Sequence, residues 1–166
     1  MIRELRSKFD WVICDSPAGI ERGATLAMRF ADLAVIITNP EVSSVRDADR
    51  IIGLLDSKTE AESGQRIEKY LLITRYDVQR AARGEMLKIE DVVDILSVPL
   101  LGIVPESEEV LHASNLGSPI TLSNAASAPA RAYLDAARRL MGDNVPMSIP
   151  SDRKRLLQKL FGRRAA

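Results

Sequence analysis

A chain of 166 residues with 46% hydrophobic and 28% charged side chains can bury one α/β-sized core and is too short for two large domains. Aromatics are only 4%, so that core must be aliphatic, and one cysteine with one histidine argues against disulfides and against a zinc site. Lys plus Arg and Asp plus Glu are 23 each, but the balance is uneven: Arg153, Lys154, Arg155, Lys159, Arg163 and Arg164 face only Asp152, so the segment 151–166 carries +5 and the rest −5.

Met1 to Lys8 reads as the last turns of a helix, with Ile2, Leu5 and Phe9 at helical spacing. Trp11-Val12-Ile13-Cys14 is a short apolar run that ends on Asp15, with Ser16, Pro17 and Gly19 following as breakers. That is the pattern of a fully buried parallel strand which the chain leaves at a loop. Ligands of open α/β sheets bind beyond such strand ends. Asp15 there suits a Walker-B carboxylate that helps hold Mg²⁺ beside a nucleotide phosphate; an Asp that caps a turn through its own backbone fits the same residues.

Glu21 to Ala31 reads as a helix with Ala24, Met28 and Ala31 on one face, and Leu33 to Thr38 as a second apolar strand stopped by Asn39-Pro40. Ser43 or Ser44 is placed to cap the next helix, with Asp47 in its first turn; Val45, Ala48, Ile52 and Leu55 form the inward stripe and Arg46, Asp49 and Arg50 the outward face. Residues 56–68 read as a surface loop, Tyr70 to Thr74 as a third strand, and 76–88 as a connection of mixed charge. Ile89 to Leu96 is a short amphipathic helix, Val98 to Val104 a fourth strand ending at Pro105, and Glu106 to Ala113 a helix closed by Asn115-Leu116-Gly117. His112 on that helix reads as a structural or surface residue. Pro129 to Met141 is a longer helix with Tyr133, Leu134, Ala137 and Leu140 facing in. This alternation of apolar strands and helices predicts an α/β fold, a parallel sheet covered by helices.

Gly142 to Ser151 reads as a linker, and Asp152 to Phe161 as one more helix. There Leu156, Leu157, Leu160 and Phe161 make a narrow apolar stripe flanked by Arg153, Lys154 and Lys159. Such a short helix is marginal in water and gains order on binding. The pattern suits an anionic membrane surface; a helix packed back on the domain and a basic tail for nucleic acid are the other readings, the last fitting less well because tracking phosphates needs no apolar stripe. No 18-residue apolar run and no signal-peptide core occur, so the expectation is a protein of the reducing cytoplasm, neither secreted nor membrane-spanning.

Cys14-Asp15-Ser16-Pro17-Ala18-Gly19, then Thr38 to Asp47 continuing to Arg50, then Leu72-Ile73-Thr74-Arg75-Tyr76, and finally Gly102-Ile103-Val104-Pro105-Glu106 occur in one order ahead of a basic amphipathic tail. In that order they resemble the C-terminal portion of the division-site branch of the MinD/ParA deviant Walker-A family of P-loop ATPases. The resemblance runs over nearly the whole chain. It implies that residues 1–141 are part of the ATPase domain, 142–151 a linker and 152–166 a membrane-targeting helix. It implies that Asp15 is the Walker-B aspartate associated with Mg, that Gly19 belongs to the switch-II loop sensing the γ-phosphate, and that Thr74, Arg75, Pro105 and Glu106 lie around the adenine. Asp47 and Asp49 would fall on the helix that meets a MinC-like inhibitor and a MinE-like stimulator, although their charge pattern also fits a solvated face.

The family binds ATP and Mg, forms homodimers and lies on the cytoplasmic face of the inner membrane, where it regulates septum placement and recruits a septation inhibitor. Its glycine-rich, lysine-containing P-loop has no counterpart here: no G-K-x-G-K-T-like run occurs. The expectation is therefore a truncated part of the protein, inactive and without tight nucleotide binding when alone. In the family's sheet order the P-loop strand lies between the strand ending at Asp15 and the strand ending at Thr38, so two apolar edges would be exposed. A non-catalytic membrane- and partner-binding module is the alternative from another class, and a ParA-like DNA-partitioning ATPase a third.

Overall fold

The computed structural model describes residues 2–16, 28, 31–58 and 67–150. Helix α1 (Ile2–Arg6) precedes strand β1 (Leu33–Thr38), helix α2 (Val42–Lys58), strand β2 (Glu68–Tyr76), helices α3 (Val78–Ala82) and α4 (Ile89–Leu96), strand β3 (Leu100–Pro105) and helices α5 (Glu108–Asn115), α6 (Ile120–Ser123) and α7 (Ala128–Leu140). The strands form one parallel sheet in the order β1-β2-β3, with Val35 opposite Tyr70 and Ile73 opposite Ile103. The fold is the expected α/β one.

Side chains alternate across the strands, and helices cover each face in turn. Ile36, Leu71, Ile73 and Ile103 point to the face where Val45, Ala48, Ile52 and Leu55 of α2 and Ile89, Val92 and Leu96 of α4 close the main core; Met28 and Ala31 pack against its margin. Leu72, Leu101 and Val104 point the other way, onto Ala136 of α7, with Tyr133 and Leu140 at the margin. Helix α7 packs against β3; on the same face of β1 Val35 packs at the margin of this cluster, while Ile37 is 63% exposed.

Several expectations need correction. Residues 11–16 form no strand, and Trp11 and Ile13 are 56% and 89% exposed. A strand exists through its neighbour, and among the described residues none lies beside this segment to supply a ladder. Ser43 and Ser44 do not cap α2, which already starts at Val42. The helix extends through Lys58, where a loop was expected from residue 56, and β2 begins at Glu68 and runs on to Tyr76. The connection after β2 contains α3, nucleated by Asp77, whose carboxylate accepts from the backbone N–H of Gln79 and Arg80. Strand β3 starts at Leu100 and α5 at Glu108, while α6 was not anticipated.

On α7 the buried face is Pro129, Ala130 and Ala136 with Ala132, Tyr133 and Leu140 beside them, while Leu134 is 42% exposed and Ala137 also faces water. The small residues face inward because the helix approaches the sheet at Gly102, where an added Cβ would stand 3.1 Å from the Ala136 Cβ. Most of the helix expected over 21–31, and all of 152–161, lie outside the described residues.

Candidate functional site

The carboxyl ends of β2 and β3 meet at an irregularity in the sheet. Ile73 pairs with Ile103 and Tyr76 with Pro105, so β2 spends three steps where β3 spends two, and Thr74-Arg75 forms a bulge. Arg75 takes up the extra residue in the left-handed region, φ 56°, a conformation that non-glycine residues adopt at a cost. The bulge turns the Arg75 guanidinium toward the next strand end, where Nη2 donates to Glu106 Oε1 at 3.1 Å. Arg80 Nη1 stands 3.7 Å from the other oxygen of the same carboxylate. The Glu106 N–H donates to the Tyr76 carbonyl at 3.0 Å and ties the two strand ends together. Thr74 Oγ1 donates to Asn39 Oδ1 at 3.0 Å, which links the end of β1 to the same place.

Of these residues Tyr76, Pro105 and Glu106 line a cleft of about 200 Å³, together with Asp77, Val78, Gln79 and Pro150. Its walls are apolar at Val78 and the two prolines, and polar at Asp77, Gln79 and Glu106. Burial, with a smaller push from Glu90, raises the Tyr76 hydroxyl above its ordinary pKa, so it stays protonated beside the cleft.

The structure therefore sets Thr74, Arg75, Pro105 and Glu106 at or just beyond the neighbouring ends of β2 and β3; Arg75 is bonded to Glu106, and of the four Pro105 and Glu106 line the cleft. Asp15 is exposed in the segment 9–16, outside the sheet, and Gly19 lies outside the described residues. Asp47 and Asp49 are exposed on α2, Asp47 with Arg50 Nη1 at 3.4 Å. Arg153, Lys154, Leu156, Leu157, Lys159, Leu160 and Phe161 lie outside the described residues. Among the described residues no helix is long and apolar enough to cross a membrane, and no three His, Cys, Asp or Glu side chains gather as potential metal ligands.

Sequence reading missed Asn39, Asp77, Gln79, Arg80 and Pro150. An Asp followed by helix formers was a usable cap signal for Asp77 and α3. Nothing local marks Pro150, which arrives at the cleft only through the path of the chain after α7.

No family model matches the chain. The septum site-determining protein MinD of Neisseria meningitidis serogroup B is 50% identical over 167 aligned positions, which cover 98% of this chain and 61% of that protein. The MinD of Escherichia coli K12 is 51% identical over 157, covering 93% and 58%. The chain is homologous to MinD. The match is to the C-terminal portion of that protein, and the chain spans about 60% of the length of these curated relatives. Among solved structures, MinD of Aquifex aeolicus superposes with a TM-score of 0.79 at 40% identity, covering 89% of this chain and 61% of that one. The same organism's MinC:MinD complex gives 0.79 at 39%, over 90% and 60%. MinD of Pyrococcus horikoshii, solved with Mg-ADP, gives 0.71 at 26%, over 87% and 57%. The fold is thus that of the MinD/ParA P-loop ATPases.

Proposed function

We propose that this chain is the base-binding, partner-facing and membrane-facing part of an ATP-dependent regulator of division-site placement. The observation that carries the reading is 50% identity to MinD over nearly the whole chain. Pro105 and Glu106 line the cleft and Arg75 reaches Glu106 from the neighbouring strand end, which supports their role around the adenine, while Thr74, bonded to Asn39, joins that reading through the sequence resemblance. The apolar walls would pack on the ring and the polar rim would meet its edge nitrogens.

For magnesium the fit is poor. Mg²⁺ wants six oxygens at near-octahedral geometry, while Asp15 offers one exposed carboxylate with no gathered ligand set among the described residues. No step through the metal is therefore derived, and the switch-II role of Gly19 rests on the sequence resemblance. The solved MinC:MinD complex of the Aquifex relative supports a MinC-like inhibitor as partner, and the exposed carboxylates of Asp47 and Asp49 on α2 are the surface offered to it and to a MinE-like stimulator. Homodimerisation, the division into ATPase part (1–141), linker (142–151) and targeting helix (152–166), and a place on the cytoplasmic face of the inner membrane belong to the same proposal.

Phosphate affinity in such sites rests on backbone amides and a lysine of a glycine-rich loop, and these 166 residues contain no such loop. The chain alone should neither bind Mg-ATP tightly nor hydrolyse it. Isothermal titration showing micromolar affinity, or turnover that disappears in Asp15→Ala, would overturn this. Adenosine, which needs no phosphate contacts, should bind with a dissociation constant on the order of millimolar. In amide-resolved NMR its shifts should cluster at residues 74–79 and at Glu106. Their absence would sink the base-cleft reading.

A further inference from the structure

We infer that residues 143–150 form a strap, pinned by Arg139, whose end is one wall of the cleft, so that docking of the strap and occupancy of the cleft are coupled. The coupling rests on the reading of the cleft as a base site. The strap itself rests on hydrogen bonds. Helix α7 ends at Leu140 with Met141 as its cap; Gly142 follows in the left-handed region, φ 94°, and the chain turns there with the Asp143 N–H donating to the Arg138 carbonyl at 3.0 Å. Arg138 Nε donates to Asp143 Oδ2 at 3.1 Å, an exposed pair that adds little.

Arg139 does more. Its Nε donates to the Val145 carbonyl at 2.8 Å and its Nη2 to the Pro146 carbonyl at 2.7 Å, while Nη1 donates to the Leu101 carbonyl of β3 at 2.8 Å. One planar guanidinium thus joins strap to sheet through three carbonyls, a geometry that the single ammonium of a lysine cannot copy.

The sheet is shaped to receive it. Leu71 pairs with Leu100 but Leu72 with Gly102, so Leu101 is the extra residue of a bulge on β3, and its carbonyl is the one that Arg139 takes. Gly102 follows, and a Cβ there would lie 3.5 Å from Arg139 Nη1. The strap is therefore anchored near the amino end of β3, and it reaches the cleft at the carboxyl end, where Pro150 stands with Pro105 among the lining residues. A ligand that packs on Pro150 stabilises the docked strap, and by reciprocity the docked strap raises the ligand's affinity.

The test uses the full chain, NMR relaxation of the backbone amides of Asn144, Val145, Met147, Ser148 and Ile149 as the measure of strap order, and adenosine as the probe ligand. Relaxation is the readout because Arg139 holds the strap by its carbonyls and not by its N–H groups. In the parent protein adenosine should further order these amides. Arg139→Ala should loosen them and weaken adenosine at least about fivefold. Arg139→Lys should fall between, and Arg138→Ala should leave both nearly unchanged. Pro150→Gly, which keeps every Arg139 contact, should weaken adenosine by itself and stands in should Arg139→Ala fail to fold. Unchanged strap order in both Arg139 variants overturns the strap. A loosened strap with unchanged adenosine affinity, or a neutral Pro150→Gly, overturns the coupling and leaves the base-cleft reading intact. No adenosine binding to the parent protein overturns the cleft reading and the coupling together, and the relaxation data then decide the strap alone.

Discussion

At the scale of single residues, the site depends on two places where one strand carries a residue more than its neighbour. Arg75 accepts a left-handed backbone so that its guanidinium meets Glu106, and Leu101 presents a carbonyl to Arg139. The Arg75–Glu106 pair is not a stability device of any size: the Arg75 side chain is largely exposed, and such ion pairs contribute about 0–1 kcal/mol. Gly102 is different. A methyl group there would meet the Ala136 Cβ at 3.1 Å and Leu72 Cδ1 at 3.2 Å, inside a packed interface that cannot simply open. Gly102→Ala should therefore destabilise the protein by roughly 1–3 kcal/mol through overpacking. Denaturant unfolding checks this, and a neutral result would mean that α7 can withdraw from the sheet without loss.

At the scale of elements, helical periodicity read α2 and α4 well because each presents a plain apolar stripe to one face of the sheet. It misread α7, where Leu134 and Ala137 look outward and the small Ala132 and Ala136 face the sheet. Close approach at Gly102, and not hydrophobicity, selects the inward face of that helix. The segment 152–166 has only its pattern to argue from. Leu156, Leu157, Leu160 and Phe161 would each bury apolar area worth roughly 1–2 kcal/mol at about 25 cal/mol per Å². Each nearby cation adds up to about 1 kcal/mol on an anionic surface, while ordering the backbone opposes at about 1–2 kcal/mol per residue. Weak, reversible binding is the expected net result. A peptide of residues 150–166 should gain helical circular dichroism with anionic vesicles and far less with neutral ones, and Leu157→Glu should abolish the gain. Equal response to both vesicles would remove the electrostatic half of this argument, and an indifferent Leu157→Glu the apolar half.

At the scale of the whole molecule, the sheet is closed on one face by α2 and α4 and only partly on the other by α7. Ile37 on the edge strand β1, and Phe9, Trp11 and Ile13 in the segment before it, are exposed. Among the described residues no strand pairs with the outer edge of β1, and such an edge beside exposed apolar side chains recruits other chains. The 166-residue chain should therefore run as oligomers in size-exclusion chromatography at working concentration. A clean monomer that unfolds cooperatively would show that β1 finds cover within the chain.

The three paired strands with α2, α4 and α7, the aliphatic core and the placement of Thr74, Arg75, Pro105 and Glu106 near strand ends were legible in the sequence. Each follows from local patterning: β-branched apolar runs, helical spacing, and breakers where the strands stop. The Trp11–Cys14 run carries the same pattern and is not a strand, because pairing is supplied by a neighbour and no local signal reports whether one is there. The bulges, the left-handed Arg75, the arginine clamp and the arrival of Pro150 at the cleft were likewise decided only by the tertiary structure. They come from residues far apart in the chain, Arg75 with Glu106 and Leu101 with Arg139, and hydrogen bonds across such separations leave no periodicity to read.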